Sequence, residues 1–305
     1  MIKAQRLGHA TFDTPDLRKQ IDYFVDVNGL VCVEQSATTA HLASKLGQLT
    51  VTLRKADRAH CTSLSMEVPP DSDFGDMARA LAAEGVASEV RSDPFPGSPK
   101  ALVFTDPSGT TIELFSQWSF IDANRNVAGV GPLKLGHVAM FITNFDASLD
   151  FYQRVLGFRI SDWIGDQFVF MRCNPDHHTV NFFRSETTRV HHMAFELKDF
   201  AHVQQGCETL SMHRIPLGWG PLRQGAGHNI AAYHRSPDDH VVEYFCELDQ
   251  MKNEDLGYFE PRPWHSDRPQ RPKVWTPRTW VDGWGTPPAP NFARDERALG
   301  ATAKT

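Results

Sequence analysis

A chain of 305 residues with 41% hydrophobic content can bury a sizeable core, as two modest domains or one large one. Its formal net charge of −6, with a pI near 6.1, and the lack of any long run of like charges leave no electrostatic footprint for nucleic acid or an anionic membrane. No apolar stretch reaches the roughly 18 residues that span a bilayer, and MIKAQRLGHA lacks the apolar centre of a signal peptide, so a cytoplasmic protein is expected. Five scattered cysteines without a CxxC pair predict reduced thiols.

In chain order, the first element is a strand beginning at LGHATF, Leu7 to Phe12, and it returns as LGHVAMF, Leu135 to Phe141. Asp22, Tyr23, Phe24 and Gly29 return as Asp150, Phe151, Tyr152 and Gly157, which is the same offset of 128 residues. LSMEV at Leu64 to Val68 answers MAFEL at Met193 to Leu197. TDPSGTTIELF at Thr105 to Phe115 answers RSPDDHVVEYF at Arg235 to Phe245. Order and spacing hold across both halves, which identifies a duplication.

In the second half the LGH strand runs into NFDASLDFYQRVLGF. Asn144 is placed to cap a helix, Phe145, Leu149, Tyr152 and Leu156 share a face, and Gly157 stands where the helix ends. Three short strands follow, near Arg159 to Trp163, Gln167 to Cys173 and Thr179 to Arg184. Then come a strand at His191 and a helix from about Asp199 to Leu210. Each half therefore reads as two β-α-β-β-β units, giving an α+β protein with an N-terminal domain over residues 1–125 and a C-terminal one over 133–250. Residues 251–305 are dense in Pro and Trp, which predicts an extended tail held by its tryptophans, as a lid or an oligomer contact.

Chemistry concentrates in the second half. In VHHMAFEL, alternation puts His191 with Met193, Phe195 and Leu197 on the face that packs on a helix. His192 falls with Val190, Ala194 and Glu196 on the other face, where small neighbours leave room. His137 and Glu243 occupy the corresponding strands of the repeated units, so His137, His192 and Glu243 form the two-imidazole, one-carboxylate set of a facial triad for Fe(II). The first half keeps His9 and Glu113, but Ser63 stands where the second has His192, so the first domain is expected to be metal-free.

These motifs resemble the type I extradiol ring-cleavage dioxygenases (catechol 2,3-dioxygenase-like) of the vicinal oxygen chelate, or glyoxalase and bleomycin-resistance, superfamily. The resemblance covers essentially residues 1–250. LGHVAMF is similar to the family's first ligand strand and VHHMAFEL to its second, in which the second histidine binds metal. AAYHRSPDDHVVEYF is similar to its closing signature, which implies Tyr233 in the pocket. NPDHHTVNFF resembles the segment that supplies the acid/base histidine, which the 14-residue spacing to His192 puts at His178. A histidine suits that role because its ordinary pKa lets it take a substrate proton and return it. His177 is read as structural.

The resemblance implies that the protein opens the ring of a small aromatic diol with O2 at Fe(II), with Mn(II) as the alternative metal. Phe182, Trp219, Gln224 and His228 are the candidate substrate-binding residues. The chain departs from the family pattern in GPLRQGAGH, where Gln224 follows the arginine in place of a histidine, so that Gln224 or His228 would donate that hydrogen bond. Two alternatives stand beside this reading: a redox-neutral metal-dependent isomerase, lyase or hydrolase of the same superfamily, and a non-catalytic protein that binds an aromatic ligand. Exposed β-edges in such repeats predict a homo-oligomer.

Overall fold

A computed structural model describes residues 2–121, 127–260, 264, 271–276, 283–290 and 292. By contact the chain forms two compact units, one of Met1–Gly136, Asn144–Phe158 and Ser236–Asp238, the other of His137–Thr143, Arg159–Arg235 and Asp239–Thr305. The architecture is α+β and dominated by sheet.

In the first unit, β1 (Arg6–Thr14) leads to α1 (Leu17–Asp22), which continues as a π-helical turn over Tyr23–Val27, and then to β2 (Val31–Gln35), β3 (Thr39–Ala43) and β4 (Leu49–Lys55). The pattern repeats as β5 (His60–Glu67), α2 (Phe74–Ala83), β6 (Ser88–Phe95), β7 (Ser98–Thr105) and β8 (Thr111–Phe115). These strands form one sheet in the order β2-β3-β4-β1-β5-β8-β7-β6. β1 runs parallel to β4 and antiparallel to β5, so two β-α-β-β-β units meet along the β1/β5 seam.

The second half repeats this arrangement with β9 (Lys134–Ile142), α3 (Phe145–Arg154), β10 (Arg159–Ile164), β11 (Phe168–Arg172), β12 (Val180–Arg184), β13 (Arg189–Glu196), α4 (Phe200–Met212), β14 (Trp219–Arg223), β15 (Ile230–Arg235) and β16 (Val241–Cys246). α3 buries Phe145, Ser148, Phe151 and Tyr152. It belongs to the first compact unit, where Tyr152 donates to the buried Asp106 at 3.1 Å. Asn144 does not cap this helix as expected. Its backbone is left-handed, with φ 50°, and its side chain donates instead to the Pro107 carbonyl at 3.1 Å. Asp199 does cap α4, accepting from the His202 amide.

The Pro/Trp-rich segment forms more strand than an extended tail implies. β17 (Gln250–Asn253) and β18 (Tyr258–Glu260) make a hairpin, while β19 (Lys273–Trp275) pairs with β10 and β20 (Trp284–Gly285) with β14. The second sheet thus has the order β19-β10-β11-β12-β9-β13-β16-β15-β14-β20, with a short added strand on each edge. Edges are where proline-flanked strand is tolerated, and here the added strands cover both ends of the sheet. Trp275 is buried and Trp284 exposed. Trp280 lies outside the described residues. Among the described residues no helix is long and apolar enough to cross a membrane.

Candidate active site

Register brings the site together. β12 lies parallel to β9 with Asn181 beside Ala139, and β13 lies parallel to β16 with Ala194 beside Glu243. His137, Asn181, His192 and Glu243 consequently project to one side of the sheet, into a cavity whose remaining wall includes Phe168, Phe170, Phe183, Trp219 and Tyr233.

His137 Nε2 lies 3.1 Å and His192 Nε2 3.3 Å from the same oxygen, Glu243 Oε2, and one ligand atom from each of the three residues falls within 4.8 Å of the others. Ligands at about 2.1 Å on adjacent octahedral positions stand about 3.0 Å apart, so the three groups fit one face of an octahedral divalent ion. All three are buried. Burial pushes the Glu243 carboxyl up to about 7 and, with His191 beside it, holds His192 well below the usual imidazole range. A buried carboxylate between two neutral imidazoles is costly without a cation and favourable with one. Asn229 donates from Nδ2 to Glu243 Oε1 at 2.9 Å, while Oε2 meets the histidines.

His178 sits at the edge of this cluster, with Nε2 3.3 Å from His137 Nε2, and its burial and the neighbouring imidazoles hold its pKa well below the ordinary value. Tyr233 faces Glu243 across the antiparallel β15/β16 pair, and Trp219 stacks on its ring with centroids 5.2 Å apart. Gly220 permits that stack: its φ is +91°, and a Cβ there would come within 2.5 Å of the Ala231 carbonyl oxygen, in a stretch where the β14/β15 register slips. Gln224, on the cavity wall, donates from Nε2 to the Tyr233 hydroxyl.

Three placements differ from expectation. Phe182 is not on the cavity wall. It pairs with Met140 on the opposite face, because the parallel β9/β12 ladder puts Asn181 and Phe183, beside Ala139 and Phe141, on the face that carries the cavity. His228 is buried behind the wall, where it binds Asp249 at 2.8 Å and packs on Trp264. His191 does not join the helix-facing side with Met193. Its ring packs against Phe141 and Phe183, at centroid distances of 5.1 and 4.7 Å, and lines the cavity beside His192. His191 lies near the start of β13, ahead of the first residue paired with β16.

Asn181 and Phe183 lie in NPDHHTVNFF without having been singled out there, and Asn229 falls between the two quoted motifs that flank it. In the first half, Ser63 has the register of His192, and its Oγ lies 3.4 Å from Glu113, which is 3.5 Å from His9. Burial lowers His9 to about 3. Arg54 is paired with Asp13 and His41 with Thr52, so polar groups around this first-half cavity satisfy one another.

A sheet of paired β-α-β-β-β units is the fold of the vicinal oxygen chelate proteins, and here it carries a buried two-histidine, one-glutamate group that could hold a metal ion. Residues 134–244 match the sequence model of the Glyoxalase/Bleomycin resistance protein/Dioxygenase superfamily. Relatives include metapyrocatechase 2 of Cupriavidus necator, 25% identical over 272 residues that make up 80% of this chain and 82% of that one. The 3-methylcatechol 2,3-dioxygenase of Pseudomonas putida is 26% identical over 80% of this chain and 90% of its own. Among solved structures, the Mn(II)-bound glyoxalase from Novosphingobium aromaticivorans superposes with a TM-score of 0.81 at 26% identity, covering 96% of this chain and 94% of that one.

Proposed function

We propose that the protein cleaves the ring of a catechol-type substrate in the extradiol position, using O2 and a ferrous ion held by His137, His192 and Glu243. The observation that carries this reading is the buried three-residue face at the floor of an apolar cavity, with His178 3.3 Å from His137. Fe(II) bound there supplies open coordination positions for two vicinal substrate oxygens and O2, together with the redox capacity of the reaction.

The chain's own residues do the rest. His178, neutral because it is buried, accepts a proton from a substrate hydroxyl at Nε2 and returns it when the ring opens. Tyr233, oriented by Gln224, offers its hydroxyl to a substrate oxygen. Phe168, Phe170 and Phe183 flank the ring and exclude water. Both atoms of O2 end in a ring-opened product that carries a carboxylate. The enzyme acts in the cytoplasm as a homo-oligomer in the breakdown of aromatic compounds. A redox-neutral reaction with Mn(II) as Lewis acid is the second reading, favoured by the likeness to the Mn(II)-bound glyoxalase.

Anaerobic loading with Fe(II) followed by oxygen uptake on a panel of catechols separates the two. One O2 consumed per catechol, with a ring-opened product, is expected. Full metal occupancy with no uptake on any catechol overturns the oxygenase reading.

A further inference from the structure

We propose that Asp162 and His177 are positioning residues for His178, fixing the tautomer that presents a bare Nε2 to the cavity, and that β19 completes the device. Its use in catalysis rests on the function proposed above; the hydrogen-bond chain itself does not.

Asp162, on β10, is fully buried. Its Oδ1 accepts from the Lys273 backbone amide at 2.8 Å, and its Oδ2 accepts from Trp275 Nε1 at 2.7 Å. A backbone amide and an indole N–H can only donate, so Asp162 is the acceptor in this chain of contacts. Asp162 Oδ2 also lies 3.1 Å from His177 Nε2, which is therefore the donor nitrogen of that ring. With His177 neutral, its ring carries one N–H, so His177 Nδ1 bears a lone pair. That lone pair faces His178 Nδ1 at 3.0 Å, which assigns the N–H of His178 to Nδ1. His178 Nε2 is then bare, and it is the atom on the cavity side, beside His137.

The polarity of the whole chain is set from the far end, by two donors some 111 and 113 residues from the carboxylate in sequence. Packing holds the rings in place. His177 is boxed by Phe259 and Phe170, with centroids 4.7 and 5.5 Å away. Gly227, at φ +78°, leaves the room they need, since a Cβ there would stand 3.2 Å from His177 Nδ1 and 3.3 Å from His178 Cε1. The consequence is directional. A bare Nε2 can take a proton from a substrate O–H, and the positive charge that forms keeps its Nδ1–H bonded through His177 to the Asp162 carboxylate. The other tautomer would point an N–H at the substrate and could not act as base.

Nitrogen-15 spectra of the histidine rings in full-length metal-free protein test the assignment, with the His178 signals identified by their loss in His178→Gln. Wild type is expected to show His178 with protonated Nδ1 and unprotonated Nε2. Asp162→Asn should move it toward the other tautomer. Trp275→Phe, which deletes one donor and keeps an aromatic ring, should move it the same way by less. With iron loaded, Asp162→Asn should lose roughly 10–100-fold in kcat, with iron content and KM for a catechol unchanged. A residue that only supports the fold would move iron content, KM and kcat together. An N–H on Nε2 of wild-type His178 overturns the proposal, as do unchanged ring shifts and kcat in the variants. If Asp162→Asn does not fold, Trp275→Phe decides. If wild type opens no catechol, the function proposed above fails, while the nitrogen pattern still decides the tautomer.

Discussion

Asn229 donates its side-chain amide to Glu243 Oε1 at 2.9 Å, while Glu243 Oε2 meets His137 and His192. Asn229→Leu removes this donor at nearly constant volume and loosens the hold on Glu243, which keeps its hydrogen bond with Tyr233. Metal affinity should fall roughly 10–100-fold, the usual effect of losing a partner that orients a ligand. Titration with Fe(II) or Mn(II) under anaerobic conditions measures this directly, and an unchanged affinity would show that the carboxylate needs no such hold.

The adjacent histidines should separate cleanly. His192→Ala removes one of three ligand groups, so metal content and turnover should collapse together, beyond 100-fold. His191 packs on Phe141 and Phe183, and His191→Ala opens a gap in the cavity wall, costing on the order of 1–3 kcal/mol of stability. That variant should melt earlier and still bind metal. Loss of metal from His191→Ala with retention in His192→Ala would reverse the assignment.

His178→Ala should keep its metal, since the three ligand groups are untouched, and lose ~10²–10⁴-fold in kcat, the usual contribution of an acid/base group. Unaltered turnover of a catechol would remove His178 from the mechanism.

Gln224 meets the Tyr233 hydroxyl, so Gln224→Leu leaves that hydroxyl without its donor while the strand pairing around it persists. A drop of about 10-fold in kcat/KM is expected, equivalent to about 1.4 kcal/mol, one hydrogen bond's net worth. Gln224→His should instead alter the ranking of substituted catechols. Identical rankings and pH profiles in wild type and Gln224→His would show that this position does not tune the pocket.

His234 is buried on β15 against Tyr244, and burial alone lowers it to about 3. An unfolded chain binds the proton near pH 6.5, whereas the folded one refuses it until about 3, so stability is fully present above 6.5 and is lost as pH falls through that window. One such group contributes a slope of about 1.4 kcal/mol per pH unit there. Urea midpoints of metal-free protein at pH 7.5 and 5.5 should differ less in His234→Phe than in wild type. Equal differences would mean that His234 does not share in the acid sensitivity.

Much of the site was legible because it repeats. The LGH strands and the two closing signatures identify β1, β9, β8 and β16, and a period of two on VHHMAFEL puts His192 on the face that carries the cavity. The same period was not enough on β12. Phe182 and Phe183 are alike in composition, and only the pairing of Phe183 with Phe141 says which of them faces the cavity. His191 shows the limit from the other side, because parity sets it apart from His192 and yet its ring lines the same cavity. His228 follows a glycine-rich turn and has the look of a pocket residue, yet Asp249 captures it 21 positions later.

The sequence by itself determined the duplication, the α+β repeat, and the residue types and strand positions of the two-histidine, one-glutamate set, because a doubled gene and strand alternation leave local, countable marks. Tertiary structure decided everything that depends on who meets whom across the chain: that Asn229 takes Glu243 Oε1, that Gln224 and not His228 reaches Tyr233, and that strand Lys273–Trp275 lies on β10 with Trp275 on Asp162. A hydrogen bond between residues 113 positions apart has no local signature, since neither partner's neighbours carry information about the other and only sheet register brings them within reach.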